Sequence, residues 1–209
     1  MDNKLLIGAG LLAVAGVFIY KKMKKNEENT NNANEATADL NDPDAYAALL
    51  FKQALSYEQD LGIWHGKDVD TIPSQATLYN ACLHVTNWAG VQKKFSLLCN
   101  NEATLLQALQ DNTDSQVYNF ALELIKKPKV ITTAQVSPLL VRYLENGQAL
   151  DEGTAKTLPA DTIIGCLTGN TGSVVSFING FESDGGFFNP ELVAVKGSVN
   201  AGSVQIINP

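Results

Sequence analysis

The spacing of apolar positions changes near residue 128. Between residues 44 and 127, apolar side chains recur every three or four positions, as at Leu105, Leu106 and Leu109. This is the period of an amphipathic helix, and the region contains five such segments. Each segment follows a residue suited to a helix start. The predicted starts are Asp42-Pro43, Pro73, Thr86 or Asn87, Asn101, and Thr113 or Asp114. The pattern predicts a small bundle of five short helices.

Beyond Pro128 the pattern becomes one of short β-rich runs separated by turn residues such as Asn146-Gly147 and Asn179-Gly180. Those pairs favour the positive φ angles of tight turns. The predicted strands are Leu139–Leu144, Thr162–Leu167, Ser173–Ile178, Leu192–Lys196 and Ser203–Ile207. About five strands predict a small β barrel or sandwich over residues 128–209. The uncharged run at 203–209 could pair with a sheet edge on a neighbour.

Residues 1–25 combine an uncharged apolar run with a basic flank. Residues 5–20 would extend about 24 Å as a helix, against roughly 30 Å for a bilayer core. The stems of Lys4 and Lys21 can lie along the bilayer core while their charges reach the headgroups, which makes up the difference. We therefore expect a transmembrane anchor; a cleaved secretory signal and a buried core helix are the alternatives. Residues expected within the bilayer include Leu5, Leu12, Phe18 and Tyr20. Residues expected at the membrane surface are Lys21, Lys22, Lys24 and Lys25.

Residues 26–43 form a polar linker in this interpretation, because one Leu and no aromatic residue cannot bury enough surface to fold. Cationic flanks stay on the cytoplasmic side, which predicts that the folded body lies there. The net charge of −7 argues against nucleic-acid binding, which needs a basic surface. The three cysteines, Cys82, Cys99 and Cys166, do not have zinc-site spacing and are interpreted as buried side chains in a reducing compartment.

The segments LGIWHGKDVDTIPSQATLYNACL and VQKKFSLLCNNEATLLQALQDNTDSQVYNFALELI carry a resemblance to a known family. Residues 44–127 resemble a single annexin-like repeat, a unit of five helices. Such repeats bind calcium through loop carbonyls and a later carboxylate. By this resemblance the ligands would be Gly62, Gly66, Asp68 or Asp70, and Asp111 or Asp114. The loop departs from the family pattern because it is longer, lacks Gly-x-Gly-Thr and contains Lys67, so no metal or cofactor is assigned. The β region loosely resembles an SH3-like barrel, without a diagnostic motif.

Candidate chemistry is sparse along the chain. A His beside carboxylates can act as a base, and the candidates for such a role are Glu58, Asp60, His65, Asp68 and Asp70. Neither a nucleophile elbow nor a phosphate-binding loop accompanies them, so no catalytic residue is assigned. Trp64 and His65 are interpreted as a partner contact or a loop plug. Three rings in FESDGGFFNPE either form a contact patch or fold back to close one end of the barrel: Phe181, Phe187 and Phe188.

These features predict an α+β protein with a transmembrane helix and no enzymatic activity. We expect a structural or adaptor protein that links a membrane to a protein layer. The architecture is similar to membrane-anchored structural proteins of lipid-containing bacteriophages, which implies a place between internal membrane and capsid. Expected partners are the lipid bilayer, capsid or other structural proteins, and further copies of the chain. A bacterial scaffold for a cytoplasmic complex fits equally. The alternative is an anchored enzyme that binds or cleaves peptidoglycan.

Overall fold

A computed structural model describes residues 42–185 and 190–209 of the chain. The predicted anchor, with its apolar core and lysine flank, lies outside the described residues, as do nearly all of the linker and the rings of Phe187 and Phe188. Within the described ranges, every helix is too short or too polar to cross a bilayer. The described residues all belong to one compact unit.

Five α-helices precede the main sheet in the described chain. They are α1 (Pro43–Ala54), α2 (Ile72–Leu83), α3 (Trp88–Leu98), α4 (Leu105–Asn112) and α5 (Ser115–Lys126). Each begins after a side chain that accepts hydrogen bonds from first-turn N–H groups. These caps are Asp42, Thr71, Asn87, Thr104 and Asp114.

The predicted helix start at Asn101 is wrong. Asn100 and Asn101 adopt positive φ angles of 52° and 64°, a left-handed conformation that ends α3. The following helix begins instead after Thr104, whose hydroxyl accepts from Gln107 N at 3.2 Å. The remaining predicted starts are confirmed to within two residues.

Nine β-strands complete the described fold. They are β1 (Glu58–Asp60), β2 (Ile63–His65), β3 (Lys129–Thr132), β4 (Leu139–Leu144), β5 (Thr154–Ala155), β6 (Ile163–Asn170), β7 (Val174–Asp184), β8 (Glu191–Asn200) and β9 (Val204–Ile207). Strands β1 and β2 form a hairpin between α1 and α2. The other seven form one antiparallel sheet in the order β5-β4-β8-β7-β6-β3-β9. The predicted α+β class is confirmed.

The five predicted strands correspond to β4, β6, β7, β8 and β9, although β7 and β8 extend well beyond the predicted bounds. Strand β3 is an addition, and it lies between β6 and β9. It begins with the fully buried Lys129. A four-residue run that starts with a lysine does not have the sequence pattern of a central strand. Strand β3 is stabilised instead by its pairing with β6 on one side and β9 on the other, which the sequence does not reveal.

The sheet curls around its own apolar core. Val130 of β3 and Leu140 of β4 belong to the same buried cluster, although three strands separate them in the sheet order. The ring of Phe177 in β7 lies in this cluster. A β-bulge between Ile178 and Gly180 adds one residue to β7 and reverses the facing of the residues after it. Phe181 therefore packs on the helices instead of in the sheet core.

Candidate interaction surface

The β1–β2 hairpin reverses direction at Leu61 and Gly62. Its register pairs Glu58 with His65 and Asp60 with Ile63. Leu61 and Gly62 have φ angles of 49° and 84°. Positive φ at both positions matches the twist of the flanking strands and is the geometry of the commonest two-residue hairpin turns. Glycine adopts it freely, whereas a leucine there brings its Cβ close to the backbone, at a cost of roughly 1 kcal/mol.

The tip of this hairpin presents two large apolar side chains to solvent. Leu61 is 94% exposed and Ile63 is 69% exposed. Neither side chain contributes appreciably to the core, and the left-handed conformation of Leu61 lowers stability. Strained residues of this kind are concentrated at functional positions. We call Leu61 and Ile63 the hairpin tip.

The base of the hairpin is braced by aromatic packing. The Trp64 ring is nearly parallel to that of Tyr57, with ring centroids 6.3 Å apart and an interplanar angle of 5°. Tyr57 packs in turn on the buried Phe95, with ring centroids 5.6 Å apart. On the hairpin side, Lys52 Nζ lies 4.9 Å from the Trp64 ring centroid. In the described part of the chain, Trp64 Nε1 is a buried donor without a hydrogen-bond partner. Stacking therefore holds this indole in place.

Backbone hydrogen bonds fasten both ends of the hairpin to the helices. Tyr57 N donates to Lys52 O at 2.8 Å, and Lys67 N donates to Leu55 O at 3.0 Å. A little further on, Val69 N donates to Asn112 O in α4 at 2.7 Å. Hydrogen bonds to the end of α1 and to α4 therefore fix the position of the hairpin from which the tip projects.

The polar residues predicted around this loop do not assemble into a ligand cage. The carboxylates of Asp68 and Asp70 belong to exposed residues, and His65 is exposed with Nδ1 3.4 Å from Ile63 O. Asp111 accepts from Gln107 at 3.0 Å, and Asp114 caps α5. Within residues 42–185 and 190–209, no group of three or more His, Cys, Asp or Glu residues is placed to hold a metal ion.

Phe181 lies inside the molecule. It is 5% exposed, and its ring meets those of Tyr79 and Phe120 edge-on, at centroid distances of 5.4 and 5.9 Å. Its backbone is held on both sides, because Phe181 N donates to Asn80 Oδ1 at 2.7 Å and Asn80 Nδ2 donates to Phe181 O at 2.8 Å. The prediction of a partner contact at Phe181 is therefore wrong, because the ring is buried, and it packs against the helices instead of closing the end of a barrel.

Beside these rings a cleft of about 630 Å³ opens between α2, α5 and the sheet. Tyr79, Phe120 and Phe181 contribute to its lining, with Asp114 and Lys196 among its charged residues. Burial raises the pKa of Tyr79 to about 12, so the phenol keeps its proton at neutral pH. Sequence reasoning did not identify this cleft, because its lining comes from segments up to 124 residues apart, from Ile72 to Lys196.

The hairpin tip was also missed, although the sequence contained a signal for it. The Leu61-Gly62 pair stands between two short runs of strand-compatible residues, which is the pattern of a two-residue hairpin. Of the predicted contact residues nearby, His65 is exposed and Trp64 is half-buried. No protein-family model, curated protein or solved structure matches this chain. The fold defines an α+β protein, and the hairpin tip is its most distinct candidate contact.

Proposed function

We propose that this chain is a single-pass membrane-anchored structural or adaptor protein that links a membrane to a protein layer. The observation that carries the proposal is the braced hairpin tip, where Leu61 and Ile63 are exposed on a fixed base. The apolar run and lysine flank of residues 1–25 support attachment to the bilayer. The polar residues 26–43 separate that anchor from the folded body.

The partner of the hairpin tip is a protein surface. Glu58 and Asp60 lie on the strand that leads to the tip. Lys67 Nζ lies 4.0 Å from Glu58 Oε1, but with the exposed Asp68 and Asp70 the carboxylates outnumber this lysine, and the negative balance disfavours an anionic lipid surface. Two aliphatic side chains flanked by carboxylates instead fit an apolar pocket with polar or basic surroundings. A lipid-containing bacteriophage virion would provide this arrangement, with the body between internal membrane and capsid. The annexin-like helix arrangement and the SH3-like barrel form part of this proposal, supported by the five-helix order and the curled sheet.

The anchor is tested by alkaline carbonate extraction of membranes that contain the full-length chain. We expect the protein to stay in the membrane pellet, and a variant without residues 2–25 to appear in the supernatant. Release of the full-length protein by carbonate would contradict the anchor.

The orientation of the folded body is tested with an impermeant thiol reagent, applied to sealed cells that carry Lys156→Cys. Labelling of this cysteine would contradict a cytoplasmic body.

The hairpin tip is tested by site-specific photo-crosslinking in the native membrane or particle. A photoreactive residue at position 61 or 63 should give adducts with one protein species, whereas the same residue at the exposed Glu152 should not. Adducts at the tip that match those at position 152, or adducts with lipid alone, would contradict the assigned role.

A substitution at the tip separates contact from stability. Leu61→Asn should raise the free energy of unfolding by about 1 kcal/mol, because asparagine tolerates the left-handed conformation better than leucine. The same variant should lose association with the protein layer. Leu97→Gln removes another exposed leucine, 47% exposed on α3, and should leave association unchanged. Equal loss in both variants would reject a specific role for the tip.

The alternative function, an enzyme acting on an envelope polymer, is tested separately. The combined replacement of His65, Asp68 and Asp70 by alanine should leave assembly and any polymer turnover unchanged. Intact assembly with loss of polymer cleavage would overturn the structural role.

A further inference from the structure

Strand β9 lies at one edge of the seven-stranded sheet. Within the described residues it pairs on one side only, with β3. Natural edge strands are commonly protected by charges, prolines, bulges or short length. Val204–Ile207 contains no charge and no proline, and its register with β3 is continuous. The opposite edge, β5, has two residues and is followed directly by Lys156. With four residues β9 is twice as long as β5, and it has no charge, proline or bulge, so it is the less protected of the two edges.

The hydrogen bonds of β3 identify which β9 groups face outward. Thr133 N donates to Ser203 O at 2.9 Å, so Ser203 faces β3, whereas Thr132 N donates away from β9, to Thr162 O at 3.0 Å. Backbone groups alternate along an antiparallel strand. Gln205 and Ile207 therefore bond towards β3, and the polar groups of Val204 and Ile206 point to the open side.

One of these outward groups already has a partner inside the chain. The Val204 N–H donates to Ala201 O in the short 3-10 turn Ala201–Ser203. The outward groups available for pairing are the Val204 carbonyl and both backbone groups of Ile206. By the same alternation, the N–H of the exposed Asn208 also points outward.

We propose that two copies of this chain pair through β9, antiparallel, about a twofold axis at Ile206. In this register each Ile206 N–H donates to the Ile206 carbonyl of the other copy. Each Asn208 N–H donates to the Val204 carbonyl of the other copy. In either register the Val204 N–H is not available to the other copy, because it donates to Ala201 O. Centring on Ile206 keeps four intermolecular hydrogen bonds among residues 204–208, whereas centring on Gln205 keeps two, from each Ile206 N–H to the Val204 carbonyl of the other copy. The geometry therefore favours the Ile206 register.

The side chains of β9 are compatible with pairing to themselves. Ile206 is 38% exposed, and in this register it lies opposite its own copy. β-branched side chains in direct cross-strand contact stabilise an antiparallel pair, whereas like charges would oppose it. The strand carries no charge to repel itself. The second copy also closes the open edge of the first, and this inference does not rest on the proposed membrane function.

Sedimentation equilibrium of the full-length chain in mild detergent tests the pairing. The weight-average mass should rise towards a dimer between about 10 and 500 µM, as expected for a small interface. Ile206→Lys places like charges opposite each other and should weaken association at least about tenfold. Thr154→Lys makes the same charge change at the exposed β5 edge and should have no effect. A monomer throughout this range, or equal effects of the two lysines, would overturn the proposal.

A second variant tests the hydrogen bonds without changing the charge. Asn208→Pro removes the Asn208 N–H, which lies outside the β3–β9 ladder, and should weaken association about tenfold while the melting temperature is kept. Unchanged association in Asn208→Pro would overturn the proposed register.

Disulfide trapping identifies the occupant of the edge. The three native cysteines are buried, so an introduced thiol is the accessible one. Directly opposite strand positions lie within disulfide range, and Ile206→Cys should therefore form a crosslinked dimer under mild oxidation. Thr154→Cys should not. Failure of Ile206→Cys to exceed this control, or trapping of another protein or of this chain's own residues 1–41 at the edge, would overturn pairing between copies.

Discussion

Lys129 joins the last helix to the sheet through its side chain. Although it opens β3, its side chain is fully buried, and Nζ donates to Leu124 O at 2.7 Å, Ile125 O at 3.3 Å and Lys127 O at 3.0 Å. These carbonyls lie at the end of α5, where the helix runs out of N–H groups and only Leu124 O receives one, from Lys127 N at 3.3 Å. The ammonium group satisfies them. Burial lowers the pKa of Lys129, although the neighbouring Cys166 opposes that shift.

Replacing this lysine should be costly. Lys129→Met keeps much of the side-chain volume but removes the ammonium donor to the carbonyls of Ile125 and Lys127, while Leu124 O keeps the Lys127 N–H at 3.3 Å. We expect a loss of about 3 kcal/mol in the free energy of unfolding. Lys126→Met, at an exposed position on the same helix, should change it by less than about 0.5 kcal/mol. Urea denaturation followed by circular dichroism measures both. Similar values for the two variants would reject the capping role.

His84 should make stability depend on pH. It lies at the end of α2, and its ring meets that of Tyr46 edge-on, with ring centroids 5.4 Å apart. Burial, and then the charge of Lys129, lowers the pKa of His84 from 6.5 to about 4. Between these values the unfolded chain binds more protons than the folded one, so stability falls as pH decreases from about 6.5 to about 4.

The expected loss over this interval is up to about 3 kcal/mol. His84→Asn should flatten the dependence, because asparagine has no proton to gain and tolerates a helix end. Urea denaturation at a series of pH values measures the slope. A slope that is the same with and without His84 would mean that other groups control stability in acid.

At the scale of elements, the bulge in β7 packs directly against Gly165 of the neighbouring strand β6. We call this contact the β6–β7 joint. Gly165 has a φ of 135°, and a Cβ there would collide with the carbonyl of Ile178. Asn179 closes the joint, because its Nδ2 donates to Ile164 O at 2.9 Å. This joint directs Phe177 into the sheet core and Phe181 towards the helices.

Gly165→Ala should therefore disrupt the joint. We expect a loss of at least about 3 kcal/mol, because both the backbone conformation and the neighbouring strand oppose a side chain. Gly172→Ala is a matched control, since its φ is 86° but a Cβ would meet open space. It should cost about 1 kcal/mol. Thermal melts would show the contrast, and equal losses would mean that strand proximity is unimportant.

At the scale of the molecule, Asn80 ties the helices to the sheet. Its side chain bonds both backbone groups of Phe181, 101 residues further along the chain. The aromatic contacts of Tyr79 and Phe120 with Phe181 surround this link. Because the described residues all belong to one compact unit, the helices and the sheet should unfold together.

Asn80→Ala tests that coupling. The loss of two partly buried hydrogen bonds should cost about 2 kcal/mol, whereas Thr77→Ala at an exposed site on α2 should cost little. Trp64 and Trp88 report on the helices by fluorescence, and circular dichroism reports on the whole backbone. The two signals should give coincident transitions in wild type and in Asn80→Ala. Separate transitions in the wild type would indicate that the predicted units, residues 44–127 and 128–209, unfold independently.

The sequence by itself determined the helices and most of the strands. Asp42, Asn87 and Asp114 cap helices through hydrogen bonds that reach no more than three residues along the chain, so local order was sufficient to recognise them. The bounds of β4 were predicted without error, because apolar and turn residues delimit it. The membrane anchor stays a prediction, since it lies outside the described residues.

Only the tertiary structure decided the strand order, the inward position of Phe181, the cleft and the buried Lys129. Each depends on residues far apart in sequence, and one inserted residue in β7 is enough to reverse which side chains face the helices. The hairpin tip combines both kinds of feature. The turn at Leu61-Gly62 could be recognised from the local sequence, whereas the exposure of Leu61 and Ile63 depends on how the rest of the chain folds. Local hydrogen bonds can be recognised from neighbouring residues, whereas burial and edge position arise only when distant segments pack.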